Sequence, residues 1–302
     1  MIGSSHAMVA LRDYVGKVAR SEASVLITGE TGTGKELVAE SIHRASRRRD
    51  APFVSVNCAA IPDSLLESEL FGYERGAFTG AGQSYLGKLR LADQGTIFLD
   101  EIGEMSPLGQ AKILRVIENR EVFPLGGRRT TRVDVRFVAA TNRDLDPLVA
   151  RRVFRQDLFF RLNVARIHLP NLRERREDIP ELVNHYVREF NAQYGRRVEA
   201  PAQEVSDRLR KYDWPGNVRE LRNFVEAVFI DPPEGPISLE HLPESFRRIF
   251  QEHRQDGISE RDAMLKALAH TDWNKKMAAK ELRWSRMTLY RKMEKYKITG
   301  SE

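Results

Sequence analysis

Residues 25–35 read VLITGETGTGK, and this stretch decides the fold of the chain. Val25 to Thr28 form a short apolar, β-branched run that predicts a buried strand, and apolar residues recur at helical spacing from Leu37 onward. Between them lies a glycine-rich loop that ends in lysine. In this context the backbone N–H groups of the loop and the helix N-terminus surround phosphates, while Lys35 reaches the β- and γ-phosphates. The sequence therefore predicts a nucleotide-binding loop with contacts from Gly29, Glu30, Thr31, Gly32, Thr33, Gly34, Lys35 and Glu36.

Four more strand-like runs follow, with amphipathic segments between them. They cover residues 53–56, 96–99, 135–140 and 165–169. Apolar strands that alternate with helices imply a parallel sheet covered by helices on both faces. The chain therefore belongs to the α/β class, and we expect a five-stranded parallel sheet with the phosphate loop after the first strand.

Two carboxylates follow the third strand-like run, in Ile97-Phe98-Leu99-Asp100-Glu101. Glu36 stands where many phosphate loops have a Ser or Thr that ligates magnesium, so metal ligation must fall to other groups. Asp100 is the candidate ligand for Mg²⁺, and Glu101 is the candidate base that polarises the attacking water. An acidic pair satisfied by a helix N-terminus is the structural alternative.

A second glycine-rich segment, residues 72–82, separates two leucine-containing stretches that predict short helices. Phe78 lies at its centre. In an arbitrary glycine-rich loop such a phenylalanine would fold back onto the domain. The sequence of this loop is a specific six-residue motif, however: Gly76, Ala77, Phe78, Thr79, Gly80 and Ala81.

Composition narrows the class of protein. The chain has 302 residues, of which 30% are charged and 41% hydrophobic, and its mean hydropathy is −0.48. It contains no apolar run near the roughly 20 residues that cross a bilayer, so we expect no membrane association. Cys58 is the single cysteine, which excludes an internal disulfide and favours a cytoplasmic location, with the thiol acting as a small buried hydrophobe.

Positive charge is concentrated at the C-terminus. Residues 257–302 contain eleven Lys or Arg and six acidic residues, so they hold +5 of the net charge of +6. The same segment shows three short amphipathic helices, with Asn274 and Ser285 at expected N-cap positions. A small basic helical module indicates nucleic-acid binding, and a solvated basic face is the alternative.

These motifs together resemble the sigma-54-dependent transcription activators, enhancer-binding proteins of the AAA+ class. GAFTGA at residues 76–81 is the family's signature loop, and the resemblance extends from Ile2-Gly3-Ser4 to the tail. It implies four parts: an AAA+ P-loop core over residues 1–172, an α-helical lid over 173–232, a linker over 233–256 and a Fis-type helix-turn-helix domain over 257–302. In the tail, the family usually has glycine where Trp273 stands, and Gly-Ile where Arg283-Trp284 form the turn.

The resemblance also implies roles for individual residues. Asn57 would hold Glu101 as a glutamate switch, although a plain strand-end asparagine remains an alternative. Thr141 and Asn142 would form sensor I, and Arg219, after the turn at residues 214–216 with Asn217 as N-cap, would be sensor II. Arg155 and Arg161 resemble arginine fingers that reach the nucleotide of a neighbouring subunit, and ordinary surface ion pairs are the alternative for each arginine. The implied DNA contacts come from Lys275, Lys276, Ser285, Arg286, Thr288, Arg291, Lys292 and Lys295.

The function implied is an ATP- and Mg²⁺-dependent activator. The chain would bind upstream double-stranded DNA and assemble into a homo-oligomer, from a dimer up to a hexameric ring. ATP hydrolysis would move the GAFTGA loop and so remodel closed complexes of the sigma-54 RNA polymerase holoenzyme into open complexes. The alternatives are a DNA-binding AAA+ regulator or scaffold whose ATPase does not drive sigma-54, and an AAA+ unfoldase or helicase-type motor. Because the family commonly has an N-terminal regulatory module, either the sequence is a fragment or a separate protein supplies the control.

Overall fold

The computed structural model describes residues 1–244, 246–247, 250, 260–271, 273–282, 284, 286–296 and 298. By the packing of its backbone the chain divides into two units, Met1–Pro236 and Ile237–Glu302. Along the part of the chain described here, every helix is too short or too polar to span a bilayer.

A five-stranded parallel sheet forms the centre of the first unit. Its strands are β1 (Val25–Thr28), β2 (Phe53–Asn57), β3 (Thr96–Asp100), β6 (Arg136–Thr141) and β7 (Ala165–His168), in the spatial order β2-β3-β6-β1-β7. All four strand pairings are parallel, with Val25 opposite both Val138 and Ala165. The predicted sheet is therefore confirmed, and the carboxyl ends of its strands share one edge.

Helices cover both faces of the sheet because successive side chains of a strand point to opposite sides. On one face, Val25 and Ile27 pack with α1 (His6–Ala19) and α2 (Lys35–Arg44). On the other face, Leu26 and Leu99 belong to a second apolar core. That core includes residues from α3 (Asp63–Phe71), α4 (Lys88–Leu91), α5 (Pro107–Asn119), α6 (Leu145–Ala150) and α7 (Gln156–Leu162).

A short antiparallel hairpin interrupts the alternation of strands and helices. It pairs β4 (Glu121–Val122) with β5 (Thr131–Arg132). Each strand has only two residues, so neither produces an alternating apolar pattern, and the sequence did not predict them. The hairpin matters because its turn packs against the GAFTGA loop.

A helical lid follows the sheet. It consists of α8 (Ile179–Tyr194), α9 (Gln203–Lys211) and α10 (Asn217–Val228). Trp214, between α9 and α10, is fully buried; its ring contacts Phe224 and its indole Nε1 donates to the Leu209 carbonyl at 2.8 Å. Within the predicted α-helical lid a short strand, β8 (Glu199–Pro201), also forms, and its Glu199 N–H donates to the Gly235 carbonyl. A further short strand, β9, covers Pro236–Ile237.

The second unit contains α11 (Glu260–His270), α12 (Lys275–Glu281) and α13 (Arg286–Lys295). Met264, Leu268, Ala278, Leu289 and Met293 are buried together between them. A small core made by three short helices with brief connections is the predicted helix-turn-helix arrangement.

Candidate functional site

The phosphate loop connects β1 to α2, as predicted. Gly32 and Gly34 have φ of +79° and +101°, a conformation that favours glycine. Lys35 is only 7% exposed, and its Nζ donates to the Gly29 carbonyl at 3.0 Å and the Glu30 carbonyl at 3.4 Å. Its ammonium group is therefore held over the loop, whereas Glu36 is exposed in the first turn of α2.

The acidic pair lies at the end of β3, beside the loop. Glu101 has φ +51°, and its Oε1 lies 3.6 Å from Lys35 Nζ. The Asp100 Oδ1 atom is buried and has no hydrogen-bond partner, and burial followed by the Glu101 charge raises the pKa of Asp100. A buried carboxylate oxygen without a donor fits a cation as its partner. No cluster of three or more metal-binding side chains occurs among the described residues, so Asp100 would share the ion with phosphate oxygens and water.

Thr141 and Asn142, the predicted sensor I residues, lie at the end of β6 beside the same loop. The Asn142 backbone N–H donates to Glu101 Oε2 at 3.0 Å, and its Nδ2 donates to Thr31 Oγ1 at 3.0 Å. Thr141 is fully buried, and its carbonyl accepts from the Gly29 N–H at 3.3 Å. The base candidate, the sensor amide and the phosphate loop are therefore in direct contact.

Asn57 lies at the end of β2, but its contacts differ from those expected of a glutamate switch. Its Nδ2 donates to Asp100 Oδ2 at 3.4 Å, and its Oδ1 accepts from the Ala59 and Ala60 N–H groups. Glu101 is instead held by the Asn142 backbone. In this conformation the expected Asn57–Glu101 hydrogen bond is replaced, because the Asn57 oxygen caps the turn that follows its own strand.

The lid approaches the phosphate loop through the turn before α10. A Cβ on Gly32 would lie 2.3 Å from the Gly216 carbonyl, so only glycine fits there. The Arg219 N–H donates to the Gly32 carbonyl at 3.2 Å, and the charge of its side chain offsets a small part of the rise that burial and the Glu101 charge cause in the pKa of Asp100. The backbone of Arg219, the predicted sensor II residue, therefore contacts the phosphate loop.

The expected N-cap role of Asn217 is wrong. Gly216 occupies the N-cap, and Asn217 is the first helical residue with φ +52°. Its buried amide instead accepts from the Leu172 N–H at 2.9 Å and donates to the Thr31 carbonyl at 3.1 Å. The side chain thus joins lid and phosphate loop, a contact that depends on tertiary approach and leaves no local pattern in the sequence.

A second connection that the sequence reasoning missed involves Glu30. Its carboxylate forms an ion pair with Arg173 at 2.6 Å and accepts from Asn217 Nδ2 at 3.2 Å. Hydrogen bonds from Arg173 and then Asn217 hold the pKa of Glu30 below its usual value. Glu30 therefore faces the lid as well as the phosphate site.

A cavity of about 500 Å³ opens beside the end of the phosphate loop. It is bounded by α1, α2 and the lid, and apolar side chains provide most of its wall. The apolar lining includes Ile2, Met8, Leu11, Leu182 and Val218. Its size and its position next to Thr33 and Gly34 suit a nucleotide base. Sequence reasoning did not find it, because its walls come from distant segments.

The two finger candidates lie at the surface near α7. Arg155 forms a bidentate pair with Asp157 at 3.0 and 2.7 Å, and Arg161 pairs with Glu118 at 3.1 Å. Their side chains are 46% and 59% exposed. Both guanidinium groups are thus partnered within the chain and remain accessible to another molecule.

The GAFTGA loop is a compact turn carried between α3 and α4. The Gly76 N–H donates to the Ala81 carbonyl at 2.9 Å, and the Ala81 N–H donates to the Phe78 carbonyl at 3.0 Å. Ala81 is buried, Thr79 is exposed and Phe78 is 44% exposed, its ring meeting Tyr73 edge-on at 5.0 Å. The Phe78 side chain therefore lies outside the hydrophobic core but contacts the Tyr73 ring.

The turn of the β4–β5 hairpin forms hydrogen bonds with the base of this loop and packs against it. The Glu74 N–H donates to the Leu125 carbonyl at 3.0 Å, and the Leu125 N–H donates to the Gly72 carbonyl at 2.9 Å. A Cβ on Gly126, where φ is +68°, would lie 2.7 Å from the Ala77 Cβ. The base of the loop is thus anchored, while its tip around Thr79 is open.

The second unit presents the predicted basic residues on α12 and α13. Lys275 lies over the Tyr290 ring at 5.3 Å and Lys292 over the Trp284 ring at 4.5 Å. Lys276 and Arg291 are exposed, and Thr288 is half-buried on α13. Ser285 lies outside the described residues, as do the side chains of Arg286 and Lys295. Asn274 caps α12 as expected, accepting from Lys276 N and Met277 N.

Trp273 explains one departure from the family pattern. Its φ is +59°, which favours glycine, and its N–H donates to the Leu268 carbonyl at 2.7 Å. The indole is half-buried and packs on the core of the three helices. The chain therefore keeps the turn geometry that glycine would provide and adds apolar packing.

Comparison with known proteins agrees with this geometry. Three families match in order along the chain: "Sigma-54 interaction domain" over residues 1–168, "AAA+ ATPase lid domain" over 173–259 and "Bacterial regulatory protein, Fis family" over 258–296. The fold and site thus define an AAA+ ATPase that carries a DNA-binding module.

Related sequences and structures narrow the class. The transcriptional regulatory protein ZraR of Salmonella typhimurium is 46% identical over 98% of this chain and 68% of its own length. The regulatory protein AtoC of Escherichia coli is 42% identical over 100% of the chain and 68% of its length. The crystal structure of NtrX from Brucella abortus in complex with ATP has a TM-score of 0.77 and 33% identity, over 99% of this chain and 70% of that one. The chain belongs to the family of sigma-54-dependent transcriptional activators.

Proposed function

We propose that this chain binds ATP with Mg²⁺ in the cleft between sheet and lid, and that ATP hydrolysis moves the GAFTGA loop to remodel sigma-54 RNA polymerase closed complexes. One observation carries the proposal. Glu101 is held between Lys35, 3.6 Å away, and the Asn142 N–H, 3.0 Å away, at the edge where Asp100 presents a buried oxygen without a donor.

The proposed chemistry follows from these positions. Lys35 and the loop N–H groups would bind the phosphates, and Glu101 would take a proton from the attacking water. Asp100 would hold Mg²⁺, which neutralises charge that develops on the phosphate oxygens. Asn142 would report the state of the γ-phosphate, because its backbone holds Glu101 while its amide holds Thr31.

The connection to the lid supports a mechanical role for the nucleotide. Arg219, Asn217 and Arg173 all contact the phosphate loop, through Gly32, Thr31 and Glu30 respectively. A change at the phosphates therefore changes the partners of three lid residues at once. We propose that Arg219 acts as sensor II through this contact.

We further propose that the active form is a ring of several copies. Arg155 and Arg161 lie at the surface, and among the described residues their guanidinium groups pair with the exposed carboxylates of Asp157 and Glu118. Such pairs contribute little in water, so a triphosphate from a neighbouring copy could replace those carboxylates. A site shared head-to-tail between identical subunits closes into a ring.

The experiment that tests the proposed function compares two outputs of one preparation of the chain. ATP turnover is measured alone and with sigma-54 polymerase on a closed promoter complex, and open-complex formation is measured with ATP and with a non-hydrolysable analogue. We expect open complexes with ATP only. Turnover without any open complexes would instead support a DNA-binding regulator whose ATPase does not drive sigma-54.

A further inference from the structure

Arg175 is a buried cation beside the base cavity. It lies between two 3₁₀ turns, Leu172–Glu174 and Arg176–Asp178, at the start of the lid. The residue is 4% exposed, and it lines the cavity together with Met8, Thr33 and Leu182. Arginine is rarely buried to this extent unless it is paired.

The hydrogen bonds of Arg175 are weak for a buried guanidinium group. Its Nη1 atom contacts the Met8 sulfur at 2.9 Å, and its Nη2 donates to the Thr33 carbonyl at 3.4 Å. The Nε atom is buried and has no partner. A thioether is a poor acceptor and 3.4 Å is long for a hydrogen bond. Most of the five donors of this group therefore lack a good acceptor.

The nearby carboxylate does not meet this need. Asp178 is fully buried, and its oxygens accept from the Ser4 N–H at 2.8 Å, the Ser5 N–H at 2.8 Å and the Ser5 hydroxyl at 2.7 Å. It attracts the Arg175 charge at a distance, but its lone pairs are used to fix the N-terminal segment. An acceptor for Arg175 must come from elsewhere.

The cavity indicates the chemistry of that acceptor. Its walls are largely apolar, which favours an uncharged ring, and the carboxylate in its lining, Glu189, is paired with Arg222 and His185. Arg175 can only donate. A flat heteroaromatic ring with unprotonated nitrogens satisfies both conditions. We propose that Arg175 is a specificity-determining residue for the nucleotide base and donates a hydrogen bond to a ring nitrogen of adenine. The inference rests on the proposal that ATP occupies this cleft.

The test replaces single ring nitrogens of the ligand. Binding of ATP and of its 1-deaza, 3-deaza and 7-deaza analogues to the whole chain is measured by calorimetry. We expect one analogue to bind about tenfold or more weakly than ATP, the loss that corresponds to a hydrogen bond with a charged donor. Equal binding of all four ligands to the unaltered protein would overturn the proposal, and this result does not depend on any variant folding.

Variants then assign the contact. Arg175→Met should weaken ATP binding to the level of the sensitive analogue and abolish the difference between the two, and Arg175→Lys should restore part of it. Arg222→Met is the matched control, since Arg222 lines the same cavity but is already partnered by Glu189 and the Phe190 ring. It should retain the discrimination against the analogue.

Three other results would contradict the proposal. If Arg175→Met still bound ATP more tightly than the sensitive analogue, another group would have to form the hydrogen bond with the base. Equal loss of ATP and tripolyphosphate binding in Arg175→Met would assign the residue to the phosphates. If the unaltered chain bound no ATP at all, the proposed function itself would fail, a result distinct from ATP binding that ignores Arg175.

Discussion

Glu101 combines a left-handed backbone with two partners that fix its carboxylate. Its φ of +51° departs from the strand geometry of β3, and the Asn142 N–H and Lys35 Nζ hold its two oxygens. Non-glycine residues in this region of φ are uncommon and occur where surrounding contacts maintain them. This local strain aims the side chain at the phosphate loop.

The role of Glu101 gives the first prediction. Glu101→Gln keeps the size of the side chain and the phosphate loop but removes the base, so ATP affinity should persist while turnover falls by about 10²-fold or more. Lys35→Ala is the contrasting variant and should lose ATP binding. Calorimetry and phosphate release measure the two effects. Hydrolysis by Glu101→Gln at the unaltered rate would reject the assigned base.

His43 gives a prediction about pH. It is 6% exposed, and its Nδ1 lies 3.0 Å from Thr96 Oγ1. Burial, followed by the nearby Arg136 and Arg44 charges, lowers its pKa. His43 is therefore protonated at a higher pH in the unfolded chain than in the folded chain. Because of this difference, the free energy of unfolding decreases as the pH falls below the unfolded pKa of about 6.5.

The measurement is the melting temperature between pH 8 and pH 5. His43→Gln cannot be protonated, so its melting temperature should fall less over this range than that of the unaltered chain. His6→Gln, at the exposed start of α1, is the control and should behave as the unaltered chain does. Identical pH profiles for His43→Gln and the unaltered chain would exclude this linkage.

At the scale of elements, α12 and α13 give a prediction about DNA. If Lys292 meets a phosphate, Lys292→Ala should reduce the slope of log affinity against log salt by about one unit. Lys266→Ala, on the exposed face of α11, is the control and should leave the slope unchanged. Fluorescence anisotropy on a duplex carrying the binding site measures both. An unchanged slope for Lys292→Ala would remove Lys292 from the contact surface.

The elements that could be predicted are those with local signals. The strands of the main sheet follow from apolar runs, the phosphate loop from its glycines and lysine, and α12 from the Asn274 cap. The hairpin β4–β5 and strand β8 are too short to show periodicity. Leu65 of α3 and Leu91 of α4 are 54% and 45% exposed, because short helices bury only one face, and Leu86, which precedes α4, is 51% exposed.

The candidate site divides in the same way. The residues predicted to contact phosphate carry motifs, and these motifs, with the family resemblance, predicted that Lys35, Asp100, Glu101 and Asn142 lie at one edge of the sheet. The contacts between the lid and the phosphate loop are not marked by any motif in the sequence. They include the contact of Glu30 with Arg173 and that of Asn217 with Thr31. The partner of Asn57 depends on the conformation of the turn that follows β2.

At the scale of the whole molecule, a shared site predicts rescue between defective subunits. Arg161→Ala chains lack a finger and Glu101→Gln chains lack a base. Mixed rings contain some interfaces that pair an intact finger with an intact base, so ATP turnover of the mixture should exceed the sum of the separate parents. Turnover no greater than that sum would contradict a site completed by the neighbouring subunit.

We propose that ATP hydrolysis is converted into promoter opening through the GAFTGA loop. Thr79 is exposed at the tip of a turn whose base is anchored to Tyr85 and Leu125. Removing its hydroxyl and methyl groups should therefore leave the fold and the nucleotide site intact. If Phe78 and Thr79 were packing residues instead, Phe78→Ala would cost about 3–5 kcal/mol, and stability and ATP turnover would fall with it.

The most direct test measures melting temperature, phosphate release and open-complex formation on one preparation of Thr79→Ala. We expect an unchanged melting temperature and unchanged phosphate release, with open complexes of sigma-54 polymerase abolished. Parallel loss of all three, or open complexes formed at the rate of the unaltered chain, would contradict this proposal.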